Sequence, residues 1–106
     1  MTDEWLRVAD CAELQPGTMK RVDVEGQRYL LANAGGQIYA VDDLCSHEEV
    51  SLYLGCLEGE SIKCSLHGSR FSLKNGEPLD PPATEPINTY PIKISADQIY
   101  LLKKIP

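Results

Sequence analysis

"CSHEEVSLYLGCLEGESIKCSLHG", residues 45–68, contains three of the chain's four cysteines and both of its histidines. They stand as Cys-x-His (Cys45, His47) and Cys-x-x-His (Cys64, His67), with sixteen residues between the pairs. Each pair puts a thiolate and an imidazole on one short segment. Brought together by a fold, the two segments make a four-ligand metal site. Zinc accepts such a set in a tetrahedron. The zinc-finger pattern, however, pairs Cys with Cys and His with His around a helix, and no helical pattern follows here. One ligand of each kind per segment suits a dinuclear centre, with Cys45 and Cys64 on one iron and His47 and His67 on the other.

Outward from this stretch, the chain reads as short alternating segments separated by turn residues, which predicts an all-β domain. "EWLRVAD" forms a first strand, and Asp10 to Glu13 resemble a capping box opening a single helical turn that Pro16-Gly17 ends. "MKRVDVEGQRYLLANAGGQIYAVDD" reads as three strands turning at Glu25-Gly26 and Ala34-Gly35-Gly36, with Val22 and Val24 alternating with charged residues. "YPIKISADQIYLLKKI" reads as a hairpin turning at Ser95 to Gln98, with Ile92 and Ile94 facing inward. Between these regions lies "KNGEPLDPPATEP", whose four prolines exclude a helix or a central strand and predict a stiff loop. Cys11 and Cys56 have no ligand partners nearby and read as buried inert thiols. Trp5 reads as core packing, and Tyr29, Tyr39, Tyr53, Tyr90 and Tyr100 as strand residues.

At 106 residues the chain is expected to be one domain, 1–106, with the ligand loops at about 43–82. The opening "MTDEWLRVAD" has no signal-peptide pattern, and no apolar run is long enough to span a bilayer. A cytoplasmic location and reduced thiols are therefore expected. A net charge of −6 excludes a nucleic-acid partner, which needs clustered Lys and Arg. By itself the acidic charge reads as a solvated surface; Glu48 and Glu49, directly after a predicted ligand, are the carboxylates placed to help dock a basic partner.

Taken together, these residues resemble the Rieske [2Fe–2S] proteins. The match lies in two boxes, "CSHEEVSL" and "CSLHGSRFSL", in a spacer punctuated by Gly55, Leu57 and Gly59, and in "NGEPLDPP" as the proline loop that covers the cluster. In size and over nearly the whole chain the sequence is similar to the soluble Rieske ferredoxins of bacterial ring-hydroxylating dioxygenase systems. The resemblance implies an antiparallel β scaffold with a cluster-binding subdomain of two ligand loops and a proline loop. It implies one [2Fe–2S] cluster held by Cys45, His47, Cys64 and His67. It also implies a monomeric, non-enzymatic carrier that passes single electrons from an NAD(P)H-dependent flavin reductase to a terminal oxygenase, in aromatic hydrocarbon catabolism. Gly68 would then let the backbone pass close to the cluster, and Ser69 would donate a hydrogen bond to a sulfur. High-potential respiratory relatives brace the loops with a disulfide at the positions of Val50 and Leu66, and carry a tyrosine where this chain has Phe71. Lacking these, the chain is expected to have a low potential for its class.

The competing readings are a small-subunit-like Rieske module of a nitrite reductase or another multicomponent reductase, and a zinc-stabilised binding module. An oxygenase is excluded, because both histidines are already used and none remains for a second, mononuclear iron.

Overall fold

The computed structural model describes residues 2–45, 50–65, 68–80 and 83–105, with 2–4 and 103–105 as backbone only. In chain order the described strands are β1 (Thr2–Asp10), β2 (Met19–Val24), β3 (Gln27–Ala34), β4 (Gln37–Asp42), β5 (Cys56–Glu58), β6 (Ser61–Lys63), β7 (Arg70–Ser72), β8 (Thr89–Tyr90), β9 (Ile92–Ser95) and β10 (Gln98–Ile105). They form three antiparallel sheets ordered β1-β10-β9, β2-β3-β4-β8 and β5-β6-β7. Two single 3₁₀ turns, Cys11–Glu13 and Leu52–Leu54, complete the described regular structure.

The hairpins form where turn chemistry demands them. Glu25 and Gly26 take φ of 51° and 81°, joining β2 to β3, and Ala96 and Asp97 take 51° and 62°, joining β9 to β10. Two successive positive-φ residues give the turn twist that matches right-twisted strands. The first 3₁₀ turn begins as expected, with Glu13 Oε2 accepting the Asp10 N–H at 2.7 Å.

The central sheet separates two cores. On β3, Tyr29 and Leu31 join Ala9, Leu14, Val22, Ala40, Ile99 and Leu101 against the β1-β10-β9 sheet. Its alternate residues Leu30 and Ala32 point the other way, joining Val41, Leu52, Ile62, Phe71 and Leu73. Strand alternation thus sends one strand's side chains into two cores, and β3 is buried on both faces.

Three expectations need correction. Ile94 is 53% exposed, because it sits on edge strand β9 beside the turn; Ile99 and Leu101 of β10 supply the burial instead. Trp5 is 40% exposed rather than packed in the core, and the Lys93 ammonium lies 4.7 Å from its ring centroid. Tyr53 is not a strand residue but lies in the second 3₁₀ turn.

The end of β4 is anchored firmly. Asp42 donates its N–H to Asn88 C=O at 3.0 Å, while its carboxylate accepts the Asn88 N–H at 2.9 Å and the Tyr90 hydroxyl at 2.6 Å. Burial and this carboxylate both push the Tyr90 phenol well above its ordinary pKa, so it stays a donor. The chain leaves this anchor directly into the first ligand segment.

Candidate metal centre

After β4, Leu44 pairs antiparallel with Ser51, and the Cys45 N–H donates to Val50 C=O at 3.0 Å. After β6, the Cys64 N–H donates to Ser69 C=O at 2.8 Å, directly above the Lys63–Arg70 pair of β6 and β7. Each cysteine therefore closes a loop by bonding to the carbonyl five residues on. The enclosed segments are 46–49, which contains His47, and 65–68, which contains His67. His47, Glu48, Glu49, Leu66 and His67 lie outside the described residues. In the second loop Gly68 takes φ of 74° and donates its N–H back to Cys64 C=O at 3.2 Å.

The fold brings the two cysteines together. Cys45 is 5% exposed, Cys64 is 2% exposed, and both belong to the same core cluster as Leu52, Ile62, Phe71 and Leu73. Neither forms a disulfide. The other two cysteines depart from expectation. Cys56 is exposed on β5 and Cys11 is half-buried, so neither is the buried thiol that lack of a ligand partner suggested.

The proline segment is held against β7. Ser72 N–H donates to Glu77 C=O at 2.9 Å, Leu79 N–H to Arg70 C=O at 2.7 Å, and Phe71 pairs with Pro78. Arg70 grips Asp80 through Nε at 2.5 Å and Nη2 at 3.3 Å, and this guanidinium holds the Asp80 carboxyl below the usual range. The Ala83 N–H donates to Ser69 Oγ at 3.2 Å. The Ser69 oxygen, fully buried, thus accepts from the proline segment and keeps its own proton to donate. Pro81 and Pro82 lie outside the described residues.

Two buried cysteines in one core, each at the base of a loop that carries a histidine two or three residues on, offer two thiolates and two imidazoles, a donor set fit for an iron–sulfur centre. Residues 4–91 match the Rieske [2Fe–2S] domain. The chain belongs to the Rieske [2Fe–2S] family. It is 38% identical over 101 residues, 95% of this chain and 97% of the other, to the ferredoxin component of a naphthalene 1,2-dioxygenase system from Pseudomonas aeruginosa. Among solved structures it resembles the Sphingomonas yanoikuyae B1 ferredoxin, with a TM-score of 0.90 at 27% identity, covering 95% of this chain and 100% of that one. It also resembles a chain in a complex of reduced oxygenase and oxidized ferredoxin of carbazole 1,9a-dioxygenase, with a TM-score of 0.88 at 33% identity, covering 96% and 97%. This Rieske chain carries one [2Fe–2S] cluster and is an electron carrier rather than an enzyme. Among its described residues, no helix is long and apolar enough to cross a membrane.

Sequence reasoning missed the β5-β6-β7 sheet beneath the second loop, the Arg70–Asp80 pair and the buried Asp43. The strands are three residues each, too short for a periodic signal. Arg70 and Asp80 are ten positions apart across a proline-rich loop, a spacing with no local meaning.

Proposed function

We propose that Cys45 and Cys64 ligate one iron of the cluster and His47 and His67 the other, within a single domain spanning 1–106. The observation that carries this reading is the pair of buried cysteines, each closing a four-residue histidine-bearing loop and both seated in one core. When bound, the cluster supplies one-electron chemistry. The chain's own contribution is to exclude water from the thiolate side, where Leu52, Ile62 and Phe71 are fully buried, and to hold the two loops in register.

The protein accepts an electron from an NAD(P)H-dependent flavin reductase and delivers it to a terminal ring-hydroxylating oxygenase, acting as a cytoplasmic monomer. Similarity over nearly the full length to ferredoxin components of dioxygenase systems supports this reading. The test is composition followed by reconstitution. Protein produced with ample iron should contain two irons and two acid-labile sulfides per chain, and should restore oxygenase turnover when added to a reductase and a ring-hydroxylating oxygenase. One zinc and no sulfide would end the cluster assignment. A full cluster that no such oxygenase can use would end the partner assignment alone.

A further inference from the structure

Asp43 is a carboxylate with a fully buried side chain, two residues before Cys45. Burying an ionised carboxylate is costly unless its oxygens are bonded and its charge compensated. Here both oxygens are engaged. Oδ2 accepts the Ser51 hydroxyl at 2.6 Å, and Oδ1 accepts the Tyr53 N–H at 3.1 Å. The Asp43 C=O accepts the Leu52 N–H at 2.5 Å. Arg28 Nη1 lies 3.9 Å from Oδ2, and Arg21 Nη1 is 3.5 Å from the Ser51 hydroxyl. Ser51 and Tyr53 are therefore tied to the carboxylate of one aspartate, and Leu52 to its backbone carbonyl.

The reason for this arrangement lies in the local topology. Past the Leu44–Ser51 pair the returning chain does not continue as a strand but turns at once into the 3₁₀ turn Leu52–Leu54. Below that pair the Leu52 N–H to Asp43 C=O bond is the last backbone rung under the first loop. The turn also leaves its first N–H groups without partners inside it. Ser51, its N-cap, makes no capping bond of its own, and the Asp43 carboxylate takes the Tyr53 N–H in its place. One side chain thus does what a strand pair would do.

We infer that Asp43 is the positioning residue of the Cys45–His47 loop, its carboxylate holding the loop through Ser51 and Tyr53 and so governing cluster retention and potential. This inference rests on the reading of Cys45 and His47 as ligands. Removing a group that orients a ligand costs metal affinity about ten- to a hundredfold. Loss of the buried negative charge also favours the reduced centre, whose extra electron is then less repelled.

The test compares Asp43→Asn, Asp43→Ala and Ser51→Ala with Val22→Ala, a core change on the opposite face of the central sheet. Iron release to a chelator should quicken about tenfold or more in Asp43→Ala and a few-fold in Ser51→Ala. Val22→Ala, compared at equal distance below its thermal midpoint, should release iron at the wild-type rate. The midpoint potential should rise in Asp43→Asn and stay unchanged in Val22→Ala, a readout that mere destabilisation does not move. Unchanged release in Ser51→Ala together with an unchanged potential in Asp43→Asn would overturn the inference, and both variants serve if Asp43→Ala fails to fold. Wild-type protein without iron would refute the ligand reading instead. Amide exchange at Tyr53 would then decide the anchor, because its N–H donates to the carboxylate and protection unchanged in Asp43→Asn excludes it.

Discussion

Beneath Cys64 the chain runs into β6 and β7, which pair at Lys63–Arg70, Ile62–Phe71 and Ser61–Ser72, with β5 alongside. Beneath Cys45 the backbone pairing is a single bridge ending in the Leu52 N–H to Asp43 C=O bond, and one carboxylate ties Ser51 and Tyr53 beside it. The closing bond is the same in both loops, from a cysteine N–H to the carbonyl five residues on. A backbone ladder tolerates most side chains, because its bonds belong to every residue but proline. A side-chain anchor is lost with one substitution. The first loop is therefore the one sensitive to point changes near its base, and the second the one sensitive to backbone geometry.

The most severe change should erase the difference. Cys45→Ala and Cys64→Ala should each abolish the cluster completely, while Cys56→Ala, on the exposed β5 position, should leave iron and sulfide at wild-type levels. Iron and sulfide analysis of the three proteins checks this, and a cluster retained in either ligand variant would contradict the assignment.

Glycine substitutions should separate the two sides next. A Cβ on Gly55 would stand 1.8 Å from the Lys63 carbonyl oxygen, where the chain leaves the 3₁₀ turn of the first loop and abuts the strand feeding the second. A Cβ on Gly76 would stand 2.0 Å from the Ile87 oxygen, at a φ of 77°. Neither backbone can yield cheaply. Gly55→Ala and Gly76→Ala should each cost about 3 kcal/mol in denaturant titration. Gly35→Ala, with a positive φ but open space around it, should cost only about 1–2 kcal/mol. If Gly55→Ala proves no worse than Gly35→Ala, the tight joint between the loops is not what the structure indicates. Gly55→Ala should also speed iron loss more than Gly76→Ala, because it disturbs both loops.

Phe71 sits on the ladder side, fully buried in the core that holds both cysteines. Hydrogen bonds to cluster sulfurs stabilise the reduced form, and phenylalanine provides none. The wild-type midpoint should fall in the lower part of the family range of roughly −150 to +300 mV. Phe71→Tyr should raise it if the hydroxyl finds a sulfur, and should otherwise cost about 1–3 kcal/mol as an unsatisfied buried group. A wild-type value above about +200 mV would break the argument from the missing donor.

The smallest effect concerns the Arg70–Asp80 pair that ties the proline segment to β7. Both side chains are more than a third exposed, so solvent screens the pair strongly. The folded Asp80 carboxyl is lowered from 3.8 by Arg70. Its contribution is therefore fully present above about pH 4 and fades as pH falls through the lowered value. Amide exchange at Leu79, corrected for intrinsic rates, should be slightly faster in Asp80→Asn than in wild type near pH 6, and the two should converge as pH falls through the lowered value. A gap that stays constant with pH would mean that the ion pair does not hold the segment.

Ligand spacing, the hairpin turns and the stiff proline segment were legible in the chain itself, because each rests on residues within a few positions of one another. Cys-x-His needs only its own three residues. Ala96-Asp97 and Glu25-Gly26 set their turns through local φ values. Burial is different. Whether Cys56, Trp5 or Ile94 meets solvent depends on which sheet edge it occupies, and other cysteines and isoleucines sit buried elsewhere in this molecule. Asp43 shows the limit most clearly. In the sequence it is one acidic residue among sixteen, and nothing local separates it from the Asp42 beside it. Only the packing of the Leu52–Leu54 turn against the end of β4 removes it from water and makes its two oxygens the support of the first loop. The sequence alone marked the candidate ligands by their spacing; the tertiary structure decided what supports the two cysteines, because support comes from groups that only long-range burial brings within bonding distance.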